Sequence, residues 1–155
     1  MANLFALLQA IQASAYAAYV RDSLVIYPAA NIAHVVAVMV FFAAVAAMDL
    51  RLMRVIRGTP APIVVARLRP VAIGALAVIA ATGAVLFAPE AVSIGRNWAF
   101  LLKLAAIALA LGNIAVNDWT LRRTGEKSMM VQMTAGLSLV LWLSVAALGR
   151  AIAYV

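Results

Sequence analysis

The chain has no cysteine, a single histidine (His34) and only five acidic residues. Without cysteine it forms no disulfide and has neither a thiolate metal ligand nor a cysteine nucleophile. One histidine with no HExxH pattern cannot supply the ligands of a hydrolytic zinc site. A Gly-rich phosphate-binding loop is also missing. No acidic residue falls in the middle of a long apolar run, which argues against proton-coupled transport through an intramembrane carboxylate relay. No catalytic residue is therefore assigned, and a non-enzymatic role is expected.

Apolar residues are plentiful. They make up 68% of the 155 residues, and the mean hydropathy is +1.09. Soluble domains are about 45–50% apolar, so a water-soluble globule is excluded and a single polytopic membrane domain is expected. The net charge of +7 does not indicate nucleic acid, because the basic residues flank apolar runs, where they specify membrane topology. The first residues lack the basic region and small-residue cleavage site of a signal peptide. Insertion through the chain's own helices is expected.

The pattern predicts an all-α fold with two parts. Residues 1–22 form an N-terminal interfacial amphipathic helix, and residues 23–155 a four-helix transmembrane domain. Over residues 3–20 Leu4, Leu7, Leu8 and Ile11 share one side, with Gln9, Gln12 and Tyr16 on another. That arrangement suits a helix lying in the interface better than a fifth span. The four spans are expected at about 28–48, 70–87, 98–117 and 129–150. About 20 residues at 1.5 Å rise cross the hydrocarbon layer. Pro28 suits the first turn of its helix. Gly58, Pro60 and Pro62 punctuate a long basic loop, and Pro70 is expected to open the second span.

Basic residues set the orientation. The loops after the first and third spans carry Arg51, Arg54, Arg57, Arg67, Arg69, Arg122, Arg123 and Lys127, whereas the other side has only Arg21, Arg96 and Arg150. By the positive-inside rule both termini are periplasmic and the location is a bacterial inner (plasma) membrane, multi-pass. Tyr27, Trp98, Trp119 and Tyr154 lie near the expected interfaces, as aromatic anchors do. Short hairpins give an up-down-up-down bundle.

Candidate functional residues follow from depth. His34 in the first span and Lys103 in the third enter from the same side, and ionisable residues in a membrane face the bundle interior and mark function. Asn31, Tyr27 and Arg96 are placed around them as a cofactor-binding set. The competing explanations are snorkelling for Lys103 and, for His34, a neutral ring satisfied by a backbone carbonyl or by Asn31. Farther along, Asn113, Asn117, Thr134, Ser138 and Trp142 form a polar stripe. They make either ordinary interhelical hydrogen bonds or a crevice running inward from His34 and Lys103. Asp49 and Arg51 close the first helix on the cytoplasmic side as a local ion pair. Met129, Met130 and Met133 are soft groups suited to Cu(I), but packing explains them adequately.

Ser23-x-x-x-Tyr27-Pro28, His34, Asp49-Leu50-Arg51-Leu52, Phe100-x-x-Lys103 and Asn113 together resemble an uncharacterised family of small bacterial four-helix membrane proteins. That family is distantly similar to the membrane domain of copper-resistance D proteins. Leu24, Val25 and Ile26 stand where the family usually has a tryptophan. The resemblance implies an inner-membrane bundle of four spans after a non-spanning N-terminal helix, and no activity. The leading expectation is a periplasm-facing His34/Lys103 pocket that binds haem b or quinone, or an accessory subunit of a redox complex. One rival is copper uptake or tolerance with His34 as a metal ligand. Another is a purely structural partner. The lipid bilayer, a homodimer or a larger membrane complex are the expected partners.

Overall fold

A computed structural model describes residues 2–155, so Met1 of the expected N-terminal segment lies outside the described residues. The long helices begin and end where the chain places caps and breakers. α1 (Ala2–Gln12) and α2 (Ala15–Asp22) are separated at Ser14, whose side chain accepts from the Ala17 N–H at 3.1 Å and so starts the second helix. Ser, like other short oxygen-bearing residues, competes for a backbone N–H and favours this cap position. The expected single helix over residues 3–20 is thus two short ones. At 11 and 8 residues neither is long enough to span a membrane.

Four longer helices follow: α3 (Ile26–Leu52), α4 (Ala61–Phe87), α6 (Trp98–Thr124) and α7 (Met129–Ala151), with a 3-10 turn (Ala88–Glu90) and the short α5 (Ala91–Arg96) between α4 and α6. Each long helix has an 18-residue window of mean hydropathy between 1.8 and 2.4. No more than 22% of any such window is buried within the chain. Apolar helices that leave most of their surface uncovered need lipid around them. The protein is an all-α, four-span integral membrane bundle.

The second span begins nine residues earlier than expected. Pro60 and Pro62 define its start, Pro62 lying in the first turn where the missing N–H has no partner to lose. Pro70 sits inside α4, and Arg67 and Arg69 are helical, not loop, residues. A proline removes one backbone hydrogen bond, a loss that apolar membrane helices tolerate within an otherwise continuous ladder.

α3 packs along α4, α6 along α7, and α3 against α7. α4 and α6 meet near their ends. Phe87 stacks on Phe100 with ring centroids 5.5 Å apart, and Arg69 forms an ion pair with Asp118. Between these ties the two helices stand apart. The bundle centre is an apolar layer of Phe41, Ala44, Val45, Ala72, Ala75, Ala110 and Trp142. Phe41 meets the Trp142 ring edge-on at 4.5 Å, a favoured geometry for aromatic pairs.

At the end that carries both termini, α1 and α2 pack on the segment from Ala88 to Arg96. Gln12 accepts from the Val92 N–H at 2.9 Å, and Arg21 donates to the Pro89 carbonyl at 3.3 Å. A Cβ on Gly95 would lie 2.9 Å from both Leu8 methyls, so a bare glycine permits this close seat. Asn97 accepts from the Ala99 N–H at 2.8 Å, which caps α6, and donates to the Val155 carbonyl at 2.7 Å. One side chain therefore starts a span and ties down the C-terminus.

Candidate functional site

His34 lies about two turns into α3 and is half-buried against α4. Its Nδ1 is 2.9 Å from the Thr82 hydroxyl, which itself donates to the Val78 carbonyl at 2.6 Å. Because the threonine proton is engaged, the Thr82 oxygen is left to accept. His34 therefore donates through Nδ1–H, and its Nε2 is the unprotonated nitrogen of the neutral ring. The ring lies over Gly83, where an added Cβ would be 3.5 Å from Cε1. Asn31 is exposed and is not its hydrogen-bond partner; Thr82 takes that role, with the Ile79 backbone also beside the ring. The sequence pattern alone does not single out Thr82. The signal available was its hydroxyl, isolated within an otherwise apolar span.

Lys103 enters from α6 at the same end. Its side chain crosses toward α7, where a Cβ on Gly149 would lie 3.2 Å from Nζ. Among the described residues no carboxylate lies within ion-pair distance of that ammonium. Tyr27 is two turns before His34, in the first turn of α3, half-buried and near Glu90. Arg96 is engaged elsewhere, its guanidinium 5.8 Å above the Phe5 ring.

The polar stripe divides. Asn113 donates to the Thr134 carbonyl at 2.8 Å, and Asn117 donates to the Val131 carbonyl at 3.3 Å and to the Thr134 hydroxyl at 2.7 Å. These bonds tie α6 to α7. Trp142, in the apolar layer, has an Nε1–H without a partner. That layer separates His34 and Lys103 from the asparagines, so the stripe is not a crevice continuing inward from them.

The asparagines instead line a cavity of about 380 Å³ on the far side of the layer, between α4 and α6. Its floor holds Asp49, which is 7% exposed. Here the expected Asp49–Arg51 ion pair is overturned. Arg51 donates to the carbonyls of Thr59, Ile56 and Gly58, closing the turn after α3. Helix α3 runs on to Leu52, so Asp49 lies a turn inside it and faces inward. Asp49 Oδ2 is buried with no hydrogen-bond partner, while the Ser138 hydroxyl from α7 faces the carboxyl group. A carboxylate thus does lie within a span, contrary to the expectation that none does. Residues two apart on a helix point to different sides, which decides that Asp49 lines the cavity while Arg51 serves the loop.

Met129, Met130 and Met133 are exposed on α7 at the opposite end from His34. About 22 Å of helix separates the level of His34 from that of Asp49, and the methionines lie beyond that level. They do not join His34 in one ligand set. No curated protein and no solved structure matches the chain, so the likeness to copper-resistance D proteins rests on the sequence motifs alone. Residues 13–155 match a family of unknown function, DUF6644, and the chain belongs to that family.

Proposed function

We propose that this membrane protein is a non-enzymatic binder of a quinone head group, held between His34 and Lys103. The observation that carries the reading is the fixed imidazole. With Nδ1–H engaged by Thr82, Nε2 is left to accept a hydroxyl proton from a quinol, while the Lys103 ammonium donates to a carbonyl oxygen. A lipid-soluble ligand reaches such a site from the bilayer, and Gly83 beneath the ring leaves room beside it. By the count of basic residues the site faces the periplasm, both termini lie on that side of a bacterial inner membrane, and α1 with α2 lies in the interface as a unit distinct from the four-helix domain. An accessory role in a redox complex follows from the same pocket.

Haem b is a second reading with its own support. A ligating histidine normally has one nitrogen on the metal and the other held by a hydrogen bond, as Thr82 holds His34. The second axial ligand would come from a second copy of the chain, which has one histidine. Copper uptake has weaker support, because the methionines and His34 occupy opposite ends.

The test is organic extraction and visible spectroscopy of protein purified from membranes. The quinone reading expects co-purified quinone, reduced at least tenfold in His34→Ala, and no Soret band. A Soret band shifted by the same substitution would replace it with the haem reading. Neither quinone nor Soret absorbance, with His34→Ala indistinguishable from wild type in its native complex, would leave a purely structural bundle.

A further inference from the structure

We infer that the cavity around Asp49 is a second, separate binding site, which takes an amphipathic organic ammonium ion from the bilayer. The argument begins with charge. Three ionisable side chains line the cavity: Asp49, Arg69 and Asp118. Arg69 and Asp118 neutralise each other, so Asp49 is the carboxylate left without a counter-ion. Its Oδ2 is buried without a partner. An unpaired buried carboxylate is costly unless something compensates it. The neighbouring polar groups do not compensate with positive charge. Ser138 offers a hydroxyl, and Asn113 and Asn117 direct their N–H groups to α7, which leaves their carbonyl oxygens as acceptors.

Shape then narrows the cation. A bare metal ion wants several oxygen ligands around it, and among the described residues no group of three acidic or histidine side chains is placed to hold one. The rest of the wall is largely apolar and includes Phe41, Val45, Leu52 and Ala72. A volume of about 380 Å³ falls in the range of small-molecule pockets. The outer lips, Ile73, Leu111 and Ile114, are exposed on the lipid-facing surfaces of α4 and α6. A ligand with a hydrocarbon or aryl body and one ammonium head fits all of these features. Its head pairs with Asp49 and donates to Ser138 or an asparagine carbonyl, and its body lies among the apolar side chains and over the Phe41 ring.

The experiment uses the full chain in detergent micelles and equilibrium dialysis of radiolabelled 4-phenylbutylammonium, with 4-phenylbutan-1-ol as the uncharged counterpart. Saturable binding near one per chain is expected, with the alcohol at least tenfold weaker. Asp49→Asn should weaken ammonium binding at least tenfold. Ala72→Phe, which fills the cavity and leaves the carboxylate in place, should do the same. If Asp49→Asn does not elute as a folded species, Ala72→Phe and the alcohol comparison decide. Absence of saturable binding, an alcohol that binds as well as the amine, or an Ala72→Phe protein that binds like wild type would overturn the assignment. So would a folded Asp49→Asn protein with unchanged affinity. Crosslinks from Ile73→Cys to a second copy, in a chain that fails to bind the amine, would overturn it and assign the cavity to a partner's side chain instead.

Discussion

The two ends of this bundle handle ionisable groups in opposite ways. At the end with the termini, His34 and Lys103 sit at similar depth, and the histidine has a hydrogen-bond partner on the neighbouring helix. Small residues, Gly83 and Gly149, lie directly against the ring and the ammonium. At the other end a single carboxylate faces a cavity without a partner for one oxygen. Depth in the membrane and residue type do not by themselves distinguish these cases. What differs is the spacing of α4 and α6, closed by Phe87 and Phe100 at one end and held open behind the Arg69–Asp118 pair at the other. A polar side chain becomes a structural tie where helices touch and a candidate binding group where they part.

The layer between the ends is the first place to break this contrast. Trp142 is 4% exposed and packs on Phe41, so Trp142→Ala should cost about 3–5 kcal/mol in a denaturant titration in mixed micelles. A loss below about 1 kcal/mol would mean that the layer is not a packed partition. The next effect belongs to the α6–α7 ties. Asn117→Leu removes two interhelical bonds and should cost about 1 kcal/mol, at about 0.6 per bond. Asn113→Leu removes one and should cost about half as much. Combining Asn117→Leu with Thr134→Val should give less than the sum, because the two share a bond. Strict additivity would contradict the hydrogen bond.

The histidine end offers a smaller energetic effect with a sharper readout. Thr82→Val should lower stability by about 0.6 kcal/mol. Nitrogen NMR of the labelled ring should show one neutral tautomer, protonated at Nδ1, in wild type and a mixture in the variant. A ring protonated at Nε2 in wild type would reverse the assignment of the free nitrogen. Smallest of all, Arg69→Gln should change stability by less than about 0.5 kcal/mol, since the pair is partly exposed. Its effect belongs on access to the Asp49 cavity, measured as faster exchange of bound 4-phenylbutylammonium.

Much of the architecture was legible in the chain. Four apolar runs with basic flanks require four spans, and their number and order follow from the pattern of hydropathy and charge along the chain. The errors have local causes. Pro70 suggests a helix start because proline usually ends or opens a helix, yet Pro62 already occupies the first turn, and the apolar run on both sides of Pro70 keeps the helix continuous. The segment over residues 3–20 suggests one helix because its periodicity continues through Ser14. The break comes from the serine cap and from the seat that Gln12 and Leu8 find on the Ala88–Arg96 segment.

For the site, sequence identified His34 and Lys103 as unusual at their depth, and it named Asn113, Asn117 and Ser138 as one polar stripe. It misread Asp49 because Arg51 is its neighbour along the chain, and proximity in sequence suggested a pair. On a helix those two residues point away from each other. The guanidinium turned to the open carbonyls of the loop at Ile56, Gly58 and Thr59, and the carboxylate was left facing inward.

By itself the sequence determined that the chain enters a membrane, crosses it four times and carries one histidine and one lysine at matching depth. These follow from the cost of moving backbone and charge into hydrocarbon, which depends on residue type and order. The tertiary structure alone decided that Thr82 holds His34, that an apolar layer parts the two halves, and that Asp49 opens on a cavity. Those depend on which helix faces stand opposite and how closely they pack. Contacts between residues far apart along the chain carry that information, and no local pattern encodes it.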